Sequence, residues 1–134
     1  MFYPIFTMFM ITVLVGVYML AVRIKSVKQG EVSNRYFKLM KGQEVPDVVN
    51  QVSRNFVNQF ETPVLFYVAG CLYLIQGFES DIALYVAWLF VIFRAIHAFV
   101  HVTSNKLILR MASFGIAFIF LVIMWLELLR LNLS

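Results

Sequence analysis

Arg54, Asn58 and Glu61 are spaced i, i+4, i+7, which places a guanidinium, an amide and a carboxylate on one face of a helix. Arg94, His97, His101 and Asn105 follow at i, i+3, i+7 and i+11, again as one stripe. Arg110 and Ser113 add a further cation and a hydroxyl. These residues lie in or beside strongly apolar sequence. A charged side chain at the centre of a membrane helix costs about 2.5–3.5 kcal/mol on insertion scales, so each needs a partner or a function. A set of this kind can pair its own charges. It can also bind an anionic or zwitterionic polar ligand.

Plainer readings stand beside the chemical one. Arg23, Arg54, Lys106 and Arg110 can snorkel to lipid headgroups. Glu61 and Arg94 can form an internal ion pair that holds two helices together. His97 and His101, one helical turn apart, can contribute to a metal site with Glu61 as a third ligand, but a single such pair is a weak signal and no metal is expected. Cys71 lies in an apolar run and reads as a small buried hydrophobe.

The elements that carry these residues follow from composition. Of 134 residues, 62% are hydrophobic and 13% charged. A soluble domain of this size cannot hide so much apolar surface. The chain reads as a single all-α integral membrane domain over residues 1–134, a bundle of four transmembrane helices at about 4–23, 48–76, 81–103 and 107–131. The first run has no basic residue before it and reads as a retained span. A polar segment at about 24–47 is the main loop, with a short amphipathic turn around Tyr36 and Phe37. Pro63 inside the second helix predicts a kink there. Asp81 is the expected N-cap of the third span.

The net charge of +4 is modest and better explained by membrane topology than by a nucleic-acid partner. Basic residues concentrate in the long loop, the start of the second helix and the 104–106 turn. Both termini are therefore expected on the extracytoplasmic side. Counting about 1.5 Å per residue from the turn at 76–81 puts Glu61 at about 22 Å, Arg94 at about 20 Å and His97 at about 24 Å. Arg110, Arg23 and Arg54 follow at about 28, 30 and 33 Å. All four helices thus reach one polar layer in the cytoplasmic half of the bilayer.

The segment Arg54-Asn-Phe-Val-Asn58-Gln-Phe-Glu61-Thr-Pro63 resembles the Arg-x-x-x-Asn-x-x-Glu signature of the MAPEG family, the membrane-associated proteins in eicosanoid and glutathione metabolism. Arg94-Ala-Ile-His97-Ala-Phe-Val-His101 is similar to the family's Arg-x-x-His/Tyr-x-x-x-Tyr, and Arg110 follows at the spacing of the prostaglandin E synthase branch. The length, the spans and the loop agree over the whole chain, as in a bacterial-type member. The resemblance implies a homotrimer with glutathione bound between subunits near the cytoplasmic side. By position, Arg54, Asn58, Glu61, His97 and His101 would contact glutathione, with Arg23 or Lys25 as the basic contact from the first helix. Arg110 would stabilise the thiolate. Three family hydroxyl positions are replaced here, by His101, Met111 and Phe114.

The expected function is that of a membrane glutathione transferase or peroxidase acting on lipophilic electrophiles that arrive from the bilayer. The alternatives are a non-catalytic lipid-binding protein of the same fold and a purely structural membrane protein. The short loops point to a bacterial inner membrane.

Overall fold

The computed structural model describes residues 1–133 as a set of helices. Helix α1 spans Phe2–Lys28, α2 Tyr36–Leu39, α3 Asp47–Val57, α4 Thr62–Gln76, α5 Asp81–Val102 and α6 Leu107–Leu133. A 3-10 turn, Asn58–Phe60, joins α3 to α4. Helices α1, α5 and α6 are long and apolar enough to cross a membrane. Together with the composition, they make this an integral membrane protein. Helix α4 has 15 residues, about 22 Å of rise, short of a hydrocarbon core of roughly 30 Å.

Three differences from the sequence reading bear on the site. First, α1 does not stop near residue 23. The stretch Arg23–Lys28 contains no glycine or proline, so the helix continues to Lys28 and ends before Gly30, at φ +74°. Arg23, Lys25 and Lys28 are therefore helical residues.

Second, the helix expected over 48–76 is interrupted. Glu61 leaves helical geometry at φ −96°, ψ −104°, and Pro63 falls in the first turn of α4. Proline lacks the N–H that would bond the carbonyl of Gln59, and its ring would clash with that carbonyl in a continuous helix. The chain therefore tightens into a 3-10 turn and restarts, so Pro63 breaks the helix where a kink was expected.

Third, the α5 cap is Ser80, whose hydroxyl accepts from the Ala83 N–H at 3.2 Å, with Asp81 already in the first turn. The Ser80 hydroxyl also donates to Glu127 of α6 at 2.7 Å, and Glu127 accepts a bidentate pair of bonds from Arg130. Serine can cap α5 and tie it to α6 at once, which a carboxylate beside Glu127 could not.

Side by side, α5 and α6 form the main packed pair, and α1 lies against α3, α4 and α5. Their shared core contains Met8, Phe66, Tyr73, Phe90, Leu121 and Met124. The Phe66 and Phe90 rings stack at 4.5 Å. Tyr73 is buried on α4 but keeps its hydroxyl satisfied by donating to the Met124 carbonyl of α6 at 3.0 Å. Gly70 allows α1 to approach closely, since a Cβ there would sit 2.7 Å from Ile5 Cδ1. Cys71, the next residue on α4, faces outward. The expectation of a buried thiol fails because Ala69, Gly70 and Tyr73 take the inner face of that helix.

A smaller cluster holds the loop. Val32, Tyr36 and Val49 are buried together, with Val22, Phe37 and Val45 packed around them. It seats α2 over the end of α1 and the start of α3. Gln43 fastens the loop to itself, accepting from the Ser33 N–H and donating to the Glu31 carbonyl.

Candidate functional site between the broken helix and α6

Helix α3 lies against α5 through a side chain that looks polar in sequence and is structural in space. Asn55 is buried and donates to the Ala98 carbonyl of α5 at 3.2 Å, while Gln59 donates back to the Asn55 carbonyl. With Asn55 turned inward, Asn50, Arg54 and Asn58 point the other way. They extend along one face at i, i+4 and i+8.

That face lines a cavity of about 410 Å3. Ser53, Arg54, Asn58 and Glu61 form one wall, Tyr36 and Met40 of the loop form another, and Arg110 of α6 closes it. A second, more polar cavity of about 240 Å3 lies alongside, reaching Asp47, Gln51, His101 and Asn105. Asn50, Arg54 and Arg110 line both. Four residues expected at a ligand site, Arg54, Asn58, Glu61 and Arg110, thus face one space. His101 faces the adjoining one.

Arg110 is oriented by the turn that precedes it. Asn105 adopts a left-handed conformation at φ +48°, which asparagine tolerates better than most residues. Its side-chain oxygen accepts from Arg110 Nη1 at 2.9 Å. The Arg110 Nε is buried without a hydrogen-bond partner.

Beneath this surface lies a buried polar layer. Arg94 is fully buried and donates from Nη2 to the Asn58 carbonyl at 2.6 Å. Its Nε and Nη1 have no partner, and the guanidinium lies over the Phe114 ring at 5.9 Å. The ion pair expected between Glu61 and Arg94 is not formed within the chain. Among the described residues the one ion pair is Glu127–Arg130. The break in the helix explains the difference. It offers Arg94 a free main-chain carbonyl and leaves Glu61 exposed at the cavity wall.

His97 is buried as well. Its Nδ1 lies 3.0 Å from the Arg110 carbonyl, an acceptor only, so Nδ1 carries the proton and donates. His97 therefore supports the backbone of Arg110 and lines neither cavity. The His97 and His101 rings meet edge to face at 5.8 Å. Both His101 nitrogens are buried and unpartnered. Among the described residues, no group of three or more His, Cys, Asp or Glu side chains could hold a metal ion.

Arg23 lies apart from these cavities. It donates to Ser53 at 3.0 Å and lies over the Phe37 ring at 5.3 Å. It reaches the larger cavity only through Ser53. Lys25 lines none of these spaces. Sequence reasoning missed Asn50, Ser53, Tyr36 and Met40. Asn50 was within reach, since it extends the Arg54–Asn58 stripe by one turn. Tyr36 and Met40 carry no local signal and arrive by the folding of the loop.

The fold and site together define a class: an all-helical integral membrane protein with a basic, amide-rich cavity among its helices. More particularly, the sequence profile of the MAPEG family matches residues 1–130, and the chain belongs to that family. No curated protein and no solved structure matches it.

Proposed function

We propose that this protein is a glutathione-dependent transferase or peroxidase acting on lipophilic electrophiles, with glutathione bound in the cavity between the broken helix and α6. The observation that carries this reading is the convergence of Arg54, Asn58, Glu61 and Arg110 on one cavity of about 410 Å3. That volume is in the usual range for a small-molecule site. Glutathione presents two carboxylates, an ammonium and a thiol. Arg54 suits a carboxylate, Glu61 the ammonium, and the amides of Asn50 and Asn58 the peptide groups.

Arg110 is assigned the thiol. A free thiol has a pKa of about 8.5, and a fixed positive charge beside it favours the thiolate. Arginine is a permanent cation and serves this purpose well. Asn105 holds its guanidinium from one side and leaves other donors for a sulfur. An electrophile dissolved in the bilayer would then meet a thiolate at the edge of the polar layer.

Family membership supports a four-span bundle in which α3 and α4 together complete the second crossing. It also supports a homotrimer in which a neighbouring subunit closes the exposed side of the cavity. His101 would contact the ligand from the adjoining cavity. Arg23 would act through Ser53. We assign extracytoplasmic termini on the strength of the basic loop, and the bacterial inner membrane on the short loops.

A second reading has one observation in its favour. Phe114 packs inward against Arg94 and His97, and Met111 points outward, so neither gives the site a hydroxyl. A non-catalytic lipid-binding protein would need none.

Calorimetric titration of the purified protein with glutathione tests the proposal. Binding at or below millimolar concentration, with turnover of an aryl halide electrophile, is the expected result. No heat at millimolar glutathione overturns it. Binding without turnover favours the non-catalytic reading.

A further inference from the structure

The loop between α1 and α3 carries a cavity that the glutathione site does not use. Residues 29–45 hold three basic side chains, Arg35, Lys38 and Lys41, and two acidic ones, Glu31 and Glu44. Met40 and Gly42 take left-handed conformations at φ +53° and +90°, so the chain reverses just after α2. Gln43 clamps the returning segment, accepting from the Ser33 N–H at 3.1 Å and donating to the Glu31 carbonyl at 2.9 Å. Between α2 and this segment lies a cavity of about 460 Å3, lined by the side chains of Ser33, Arg35, Tyr36, Leu39, Lys41 and Gln43.

The charges of the loop are sorted around this space. Two of its three cations line the cavity and neither carboxylate does. Among the described residues, Arg35 and Lys41 form no ion pair, so their donors are free for a ligand. The Ser33 hydroxyl accepts from the Tyr36 N–H and keeps its own proton to donate. Leu39, 69% exposed, adds apolar surface.

We propose that this cavity binds an organic phosphate, a phosphomonoester with an apolar body, with the phosphate between Arg35 and Lys41 and the body along Leu39 and Tyr36. Arg35 supplies a planar fork and Lys41 a point charge, the two ways in which side chains hold a phosphate. The volume is in the small-molecule range, and a bare phosphate would leave the apolar wall unfilled. In the orientation proposed above, the loop lies at the cytoplasmic surface of the membrane. The same chemistry is therefore on offer from a soluble phosphomonoester and from a phosphatidic acid headgroup.

Tyr36 lines both this cavity and the one of about 410 Å3 beside Arg54. An occupant that steadies α2 also steadies a wall of the glutathione site, and glutathione affinity should rise about fivefold. This coupling rests on the proposed function; the phosphate site itself does not.

Calorimetric titration of the full-length protein in detergent, without glutathione, tests the site with phenyl phosphate, inorganic phosphate and phenol. Phenyl phosphate should bind at or below millimolar concentration, and the other two several-fold more weakly. Arg35→Ala and Lys41→Ala should each weaken phenyl phosphate several-fold. Lys38→Ala, an equal loss of charge outside the cavity, should leave it unchanged. All three positions are exposed and all three variants should fold. Competition by phosphatidic acid in phosphatidylcholine nanodiscs identifies a lipid headgroup as the source, and no competition a soluble ligand.

No heat with phenyl phosphate overturns the proposal, as do equal affinities for phenyl phosphate and inorganic phosphate. Equal losses in Lys38→Ala and the other two variants overturn it in favour of a diffuse positive field. Loss of binding in Arg54→Ala, with Arg35→Ala unaffected, overturns it in favour of the glutathione cavity. Glutathione affinity unchanged by saturating phenyl phosphate overturns the coupling alone. Failure to bind glutathione at all counts against the proposed function and leaves the phosphate site standing.

Discussion

Arg94 Nη2 donates to the main-chain carbonyl of Asn58 at 2.6 Å, so the buried cation of α5 is fastened to the broken segment and not to the Glu61 carboxylate. The two residues therefore have unequal stability roles. Arg94→Ala opens a cavity and frees a carbonyl, with an expected loss of about 2–4 kcal/mol. Glu61→Ala removes an exposed side chain and should change stability by about 0.5 kcal/mol or less. Thermal or denaturant unfolding in detergent compares them. Equal losses would contradict these unequal roles, and a double variant whose loss falls short of the sum would show that the two side chains are coupled.

The Asn105–Arg110 bond predicts a positioning effect on the thiolate. Asn105→Gly keeps the left-handed backbone and removes only the side-chain acceptor. It should lower the ultraviolet thiolate absorbance of bound glutathione by a few-fold and leave affinity nearly unchanged. Arg110→Ala should abolish the absorbance. Normal thiolate signal and turnover in Arg110→Ala would remove Arg110 from its assigned role.

His101 is buried with both ring nitrogens unpartnered. Replacing an unsatisfied polar group by an apolar one of similar shape is close to neutral or stabilising. His101→Phe should therefore keep or raise the Tm. If the ring contacts the ligand from the smaller cavity, the same variant should bind glutathione several-fold more weakly. Unchanged affinity would make His101 a packing residue.

Pro63 is responsible for the break that exposes Glu61. Pro63→Ala restores an N–H and permits α3 to continue into α4. We expect more helix by far-ultraviolet circular dichroism, together with weaker glutathione binding, because Asn58 and Glu61 would rotate away from the cavity. Unchanged affinity would mean that tertiary packing alone holds the break.

The basic loop predicts its own side of the membrane. In a Cys71→Ser background, a Lys38→Cys label should be reached only from the cytoplasm. Labelling from the periplasm alone would reverse the orientation.

Much of this protein was legible in its sequence because membrane residence leaves strong marks. Long apolar runs dictate helices, since a backbone in hydrocarbon must satisfy its own hydrogen bonds. The stripe Arg54–Asn58–Glu61 was visible because helical periodicity alone fixes which side chains share a face. Other relationships depended on partners distant in the chain. Nothing local says that Arg94 finds the Asn58 carbonyl, or that His97 turns to the backbone of Arg110 while its neighbour His101 opens to a cavity. Glu61 and Arg94 looked paired because counting along straight helices gives depth but not direction. The break at Pro63 changed the direction, and with it the available partners. The contribution of Tyr36 and Met40 was decided by a loop whose course depends on the burial of Val32, Tyr36 and Val49 together. Helix period and hydropathy therefore determine, from the sequence alone, which polar groups share a helix face beside apolar spans. Only the tertiary structure decided which of them face a ligand and which hold the walls, because that depends on where a broken helix sends its free carbonyls.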